Sequence, residues 1–286
     1  MPEHRARKHH QDRVAETLRI EIGAMIEGEL SDPRIAAAAQ RQTVIDQLMP
    51  NLKAMLPLSA TAPIECQNFM GYDFKSQIFQ ASAQIPDYSE WLNNKADLVP
   101  TYKYVKRVLK LLQWRCPPKR WRLKNPGHML FIIALNQIFP DARYWMTHRD
   151  ITNVIPSVAD LYYEFAHRLS DHVDRDYLAR LNENVWELGM RRLIAFRDAG
   201  NDFRFYDIQF EAFQKDPFPI IEGLYRFLGE SLTDEARRRM AAWRQQTPRK
   251  KYGAHEYNPS TYGIDLAVLG ARFEFYSQRF GIQART

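Results

Sequence analysis

Between Arg120 and Leu169 the apolar residues change their spacing three times, and that rhythm limits the folds open to the chain. Arg120 to Lys124 alternates like a short strand, Gly127 to Ile138 repeats like a helix, Ala142 to Thr147 alternates again, and Ile151 to Leu169 returns to the helical period. Strand, helix, strand, helix in that order predicts a parallel sheet with crossover helices, because parallel neighbours need a connection long enough to return across the sheet. A third strand is expected over Phe203 to Phe210, with a helix from Phe218 to Leu228 behind it.

The first hundred residues read as helical. Val14, Leu18, Ile22, Met25 and Ile26 form one stripe of an amphipathic helix over 12–30, and Ser31-Asp32-Pro33 stops it. A second helix is expected from about Ala36 to Met55, with Val44, Ile45, Leu48, Leu52 and Met55 as its packing face. Glu65 to Trp91 reads as mostly helical with a break at Pro86, and Tyr102 to Trp114 as a strong helix ended by Cys116-Pro117-Pro118.

Composition narrows the function classes. With 286 residues, 45% hydrophobic and 26% charged, the chain is expected to be soluble and globular, one large domain or one domain with an appendage. No apolar run approaches the ~20 residues of a membrane span, and the basic Met1–Gln11 stretch has no apolar segment behind it, so neither a span nor a secretory signal is expected. Cys66 and Cys116 make no disulfide framework and lack metal spacing, which points to a reduced, cytoplasmic protein without a bound metal. A net charge of +6 favours an anionic partner, whether nucleic acid, nucleotide or acidic surface.

In open parallel sheets, ligands bind beyond the carboxyl ends of the strands. The 120–124 segment ends in Lys124-Asn125-Pro126-Gly127-His128, and the 142–147 segment in Thr147-His148-Arg149-Asp150, with Ser157 two helical turns further on. Lys124, His128, Arg149 and Ser157 are therefore expected around one rim. A lysine supplies a point charge to an anion there, while an arginine fork grips a phosphate with two hydrogen bonds. The plainer readings stay open beside these: a solvated Lys124, a surface His128, an Arg149–Asp150 pair, an ordinary helical Ser157.

These segments, with the flanking Phe-Pro-Asp-Ala-Arg-Tyr-Trp-Met and Val-Ile-Pro-Ser, resemble the bacterial sulfotransferase family, whose members move a sulfuryl group from PAPS (3′-phosphoadenosine-5′-phosphosulfate) to a hydroxyl or amine. The resemblance runs over about 32–286 and implies a P-loop-NTPase-like α/β fold, a parallel sheet flanked by helices and rich in helix. It implies that Arg149 and Ser157, eight positions apart, hold the 3′-phosphate. Arg249-Lys250-Lys251-Tyr252-Gly253, with His255, Tyr257, Tyr262 and Gly263, is similar to the family's basic loop that folds over the nucleotide, so Arg249, Lys250, Lys251 and Gly253 are carried over as nucleotide contacts, against the plainer reading of an exposed charge run. Glu65-Cys66 through Phe74, Ser76, Phe79, Tyr88 and Trp91 is similar to the region that shapes the acceptor site. The implied chemistry needs no metal: His128 takes the acceptor's proton, Lys124 neutralises charge on the bridging or leaving oxygen, and the acceptor is a small molecule.

One departure stands against these matches. Family members open with a strand and a Gly-x-x-Arg-Ser-Gly-Thr-Thr loop whose amides wrap the 5′-phosphosulfate, and the 12 glycines here include no such cluster. In its place, Gln11-Asp12-Arg13-Val14-Ala15-Glu16 through Asp32-Pro33-Arg34-Ile35 resembles the opening helix of ribosome-binding factor A, a small KH-type protein acting on the small ribosomal subunit. The expected organisation is thus a basic helical fragment over 1–35 and a sulfotransferase-like domain over 36–286. Transfer is expected to be impaired, with two rival outcomes: a non-catalytic nucleotide-binding pseudoenzyme, or a ribosome- or RNA-associated protein. Nucleic acid is expected as a partner only through residues 1–35.

Overall fold

The computed structural model describes residues 33–114, 120–248, 251–253 and 255–282. The helix expected over 12–30 lies outside these residues, as do Arg249 and Lys250. The described chain divides into two compact units, residues 33–80 with 86–126 and residues 81–85 with 127–282. Among the described residues no helix is long and apolar enough to cross a membrane.

In the first unit, the single helix expected over Ala36–Met55 is two: α1 (Pro33–Leu48) and α2 (Pro50–Met55). Pro50 has no N–H to donate back into the ladder, so the chain turns at Met49, at φ −132° and ψ 66°, and a new helix starts on the proline. The expected packing face is correspondingly split, with Leu52 buried and Val44, Ile45 and Leu48 exposed. Three further helices follow, α3 (Cys66–Gly71), α4 (Gln77–Ser82), whose last two residues count with the second unit, and α5 (Pro86–Asn94). Pro86 starts α5 where the sequence predicts a break, since its fixed φ suits a first helical position.

Between α3 and α4, Phe74 takes a left-handed φ of 54°. A side chain there costs about 1–2 kcal/mol, and the hydroxyl of Tyr88 holds the turn by donating to the Phe74 carbonyl at 2.9 Å and accepting from the Ser76 N–H at 3.2 Å. The long helix α6 (Val99–Leu112) buries Tyr102, Val105, Val108, Leu109 and Leu112 and packs on α3.

Arg120–Lys124 does not form the expected strand. Alternation supplies a pleated face, but a strand needs a neighbour to complete its ladder. The Lys124 carbonyl accepts instead from the N–H of Cys66 at 3.0 Å, at the start of α3.

In the second unit, the helix expected from Gly127 begins as a 3-10 turn (Pro126–Met129) and becomes α7 only at Ile132–Ile138. Then come β1 (Tyr144–His148), α8 (Ile151–Ala166), α9 (Arg175–Phe196), β2 (Phe205–Gln209), α10 (Phe210–Lys215), α11 (Pro217–Phe227), α12 (Asp234–Gln246), α13 (Leu266–Arg272) and α14 (Glu274–Phe280). β1 and β2 pair in parallel, in register from Tyr144 opposite Phe205 to His148 opposite Gln209. The predicted parallel sheet is present, with two strands among the described residues. Beneath α8 lies an apolar core of Ile151, Ile155, Ala159, Ala179, Tyr262, Ile264, Leu269 and Phe273.

A buried polar network fixes the carboxyl end of β1. His148 lays Nε2 2.7 Å from an Asp207 oxygen and Nδ1 3.3 Å from the Tyr276 hydroxyl, and its ring stacks 4.1 Å from Phe280. Arg197, 4% exposed at its side chain, donates to both Asp207 oxygens at 2.8 and 2.7 Å.

Candidate functional site

The residue after β1 is Arg149, and the chain turns at once into α8. Asp150 caps that helix, its carboxylate accepting from the Thr152 N–H at 3.0 Å and the Thr152 hydroxyl at 2.7 Å. The Arg149 backbone N–H donates to the Tyr276 hydroxyl, which also faces His148. Both sides of the turn are thereby pinned. The guanidinium lies 4.7 Å from the centre of the Phe210 ring, the first residue after β2, and no described carboxylate pairs with it. A half-buried cation set over an aromatic ring, with no carboxylate partner among the described residues, suits an anion in trans.

Ser157 sits about two turns further along α8, next to Pro156, which removes one bond from the helix ladder. Its hydroxyl lies 3.5 Å from Nδ1 of His255. The other imidazole nitrogen, Nε2, lies 2.7 Å from a carboxylate oxygen of Asp160, and the Tyr262 hydroxyl donates to the second oxygen. Tyr257 stands 5.2 Å from the His255 ring and donates its hydroxyl to the Asn153 carbonyl at 2.8 Å. Burial lifts the Tyr257 phenol above its usual pKa, with the charge of Arg149 opposing and that of Asp150 adding to the rise. The Ser157 hydroxyl thus faces the 255–257 segment at His255, and the charge of Arg149 acts on Tyr257 of the same segment.

Of the other residues singled out from the sequence, Lys251 and Gly253 lie in the strand-free stretch before this segment. The Lys251 ammonium is 5.4 Å from the Tyr252 ring centre, and Gly253 adopts φ 101°, a conformation other side chains resist. His128 lies half-buried in the 3-10 turn, where burial pushes its imidazole down to about 4. It is neutral at physiological pH and weakly basic. Lys124 belongs to the first unit, and its ammonium pairs with Glu65 rather than projecting from a strand end.

Also in the first unit, Phe74 and Phe79 stack at 5.8 Å, Phe79 meets Tyr88 edge-on at 5.9 Å, and Tyr88 meets Trp91 at 5.7 Å. Phe79 also lines an open cleft of about 400 Å³ with Ile64, Asn68, Phe69, Gly71, Tyr72 and Ile78. Among the described residues no group of three or more His, Cys, Asp or Glu is arranged to hold a metal ion.

Sequence reasoning passed over Asp160. The signal was present, since Asp160 follows Ser157 by three residues and so shares its helical face.

Comparison with known proteins agrees with this architecture. A family model described as the sulfotransferase family matches residues 15–234. The crystal structure of sulfotransferase STF9 from Mycobacterium avium superimposes with a TM-score of 0.78 at 29% identity, covering 88% of this chain and 65% of that one. Sulfotransferase STF1 from Mycobacterium tuberculosis H37Rv gives 0.67 at 26% identity, covering 81% and 62%. A separate match, 45% identical over 60 residues, is to ribosome-binding factor A from Koribacter versatilis (strain Ellin345), covering 21% of this chain and 46% of that protein. That match is longer than the 35 residues expected from the sequence. The chain spans just under two thirds of each mycobacterial sulfotransferase and less than half of ribosome-binding factor A.

Proposed function

The chain belongs to the sulfotransferase family, and we propose that it binds the 3′-phosphate of PAPS through Arg149, Ser157 and the 249–253 loop, with sulfuryl transfer to a small-molecule hydroxyl or amine impaired in this chain alone. The observation that carries the binding half is the convergence of Arg149 and Ser157 on one segment: the first reaches Tyr257 by charge, the second reaches His255 by hydrogen bond. A guanidinium that no described carboxylate pairs with, on the turn into the helix that carries the Ser157 hydroxyl, offers with it the charge and the hydroxyl that a phosphomonoester site uses.

For the transfer half, the reading rests on family membership. His128, neutral, would accept the acceptor's proton, and Lys124 would neutralise charge on the bridging oxygen as the sulfuryl group passes. No Gly-x-x-Arg-Ser-Gly-Thr-Thr loop is present in these 286 residues, so the amides that would hold the reacting group are not supplied by it.

Calorimetric titration with adenosine 3′,5′-bisphosphate tests the binding. Arg149→Ala is expected to weaken it by roughly tenfold or more, the worth of a charge-assisted contact, and an unchanged affinity overturns the assignment. Mass spectrometry of an acceptor panel incubated with PAPS tests the impairment, and robust sulfation refutes it.

The ribosome-binding factor A match favours a second reading, RNA binding through residues 1–35. A full-length chain that binds small-subunit RNA with steep salt dependence, lost on deleting those residues, supports it. Salt-insensitive or absent binding removes it.

A further inference from the structure

We infer that Asp160 and His255 form a proton relay that turns the Ser157 hydroxyl toward a bound phosphomonoester, with His255 taking up one proton as the dianion arrives. The inference rests on the reading of Arg149 and Ser157 as the 3′-phosphate site.

The protonation pattern follows from the geometry. Burial alone would raise the Asp160 pKa, but hydrogen bonds from His255 and the Tyr262 hydroxyl, together with the charges of His255 and Arg175, bring it below the usual value. Asp160 is therefore an ionised, acceptor-only partner, and the His255 Nε2 facing it at 2.7 Å carries a hydrogen. In the neutral ring this leaves a lone pair on Nδ1, so Ser157 is the donor across 3.5 Å, at the long limit of a hydrogen bond. Its proton points inward. Only oxygen lone pairs then face outward, which is the wrong polarity for a phosphate dianion.

A second proton on Nδ1 reverses that polarity. Nδ1–H donates to the serine oxygen, the hydroxyl hydrogen swings out to donate to a phosphate oxygen, and Asp160 balances the imidazolium charge. The proton comes from solvent, and no bond between heavy atoms forms or breaks. The groups facing His255 come from several elements. α8 supplies Asp160 and Ser157. α9 supplies Arg175, whose guanidinium lies 3.7 Å from the Tyr163 ring centre and 5.4 Å from that of Tyr262. Tyr257 and Tyr262 belong to the segment itself, and at Tyr257 the opposite charges of Arg149 and Asp150 act together. Against this set, an incoming dianion is a large added negative charge, which favours the protonated ring.

The test is calorimetry of adenosine 3′,5′-bisphosphate at pH 8 in two buffers of different ionisation enthalpy. At that pH the phosphomonoester, with a second pKa of about 6, is already dianionic. Binding to the wild type is expected to take up about one proton, and His255→Gln and Asp160→Asn to bind with no net uptake and roughly tenfold more weakly. Affinity for AMP, which lacks the 3′-phosphate, is expected to be the same in all three chains. Wild-type preference for the bisphosphate over AMP without proton uptake, or uptake that persists in His255→Gln, overturns the relay and leaves the phosphate site standing. Absence of that preference in the wild type overturns both. Should either variant fail to fold, as judged by its unfolding transition, the wild-type proton count decides alone.

Discussion

Replacing Asp207 with asparagine removes the charge on which the end of β1 is built. In the native protein the Asp207 carboxylate accepts two guanidinium bonds from Arg197 and faces Nε2 of His148, while Arg197 Nε donates to Asp202 at 2.7 Å. Asparagine keeps one acceptor and presents an NH₂ group to a guanidinium that is 4% exposed. Breaking one partner of a buried pair costs about 3–5 kcal/mol. Here Asp207 is 34% exposed and Asp202, at 57%, remains to share the charge, so a loss of about 2–3 kcal/mol is expected. Equilibrium urea unfolding at pH 7 measures it, and a loss below about 1 kcal/mol at unchanged denaturant slope refutes the argument.

The pH dependence adds a second reading of the same variant. Burial alone would raise the Asp207 pKa, but hydrogen bonds from Arg197 and His148 outweigh it and hold the carboxyl well below its ordinary 3.8. A depressed carboxyl contributes stability above its unfolded pKa and loses it as pH falls through the folded one. The gap between wild type and Asp207→Asn must therefore be full at pH 7 and begin to narrow only below about pH 4.

Two further outcomes are open to measurement. An added Cβ at Gly223 would stand 2.1 Å from the Tyr206 hydroxyl oxygen, which is held by donation to the Ile220 carbonyl at 3.0 Å. Gly223→Ala is expected to destabilise by about 1–3 kcal/mol, and Tyr206→Phe in the same chain to recover part of it, so strictly additive effects in urea unfolding would sink the clash. His128 has its imidazole lowered from 6.5 to about 4, so its contribution is complete above pH 6.5 and lost as pH falls through that interval. That amounts to about 3 kcal/mol, and His128→Gln should flatten the acid limb of the unfolding profile, an identical limb refuting the assignment.

What the sequence made legible was local. β1, β2, α8, α11 and most of α6 follow from residue spacing, because each buries one face against a neighbour that the chain supplies. Arg120–Lys124 has equally good alternation and forms no strand, since pairing is a property of two segments and only one can be read at a time. The apolar stripe of α1 continues through Pro50 into α2, so spacing alone merges the two, although the proline's missing N–H and fixed φ interrupt the ladder. α9, the longest described helix, went unread even though Leu178, Leu181, Val185 and Leu193 keep helical spacing. At the site, the eight-residue spacing of Arg149 and Ser157 was visible. The meeting of Asp160 with His255, 95 residues later, was not, because nothing local says which distant imidazole a helical carboxylate will find.

The hydroxyl of Tyr276 and the ring of Phe280 give the last helix an unexpected role. One receives the Arg149 amide, the other lies flat on His148, and the Phe280 carbonyl accepts from the Gln209 side chain at 2.8 Å. α14 therefore acts as a clasp across the outlet ends of both strands. Shortening the chain before Glu274 would release a rim more than a hundred residues upstream, so the position of Arg149 depends on a stretch far from it in sequence.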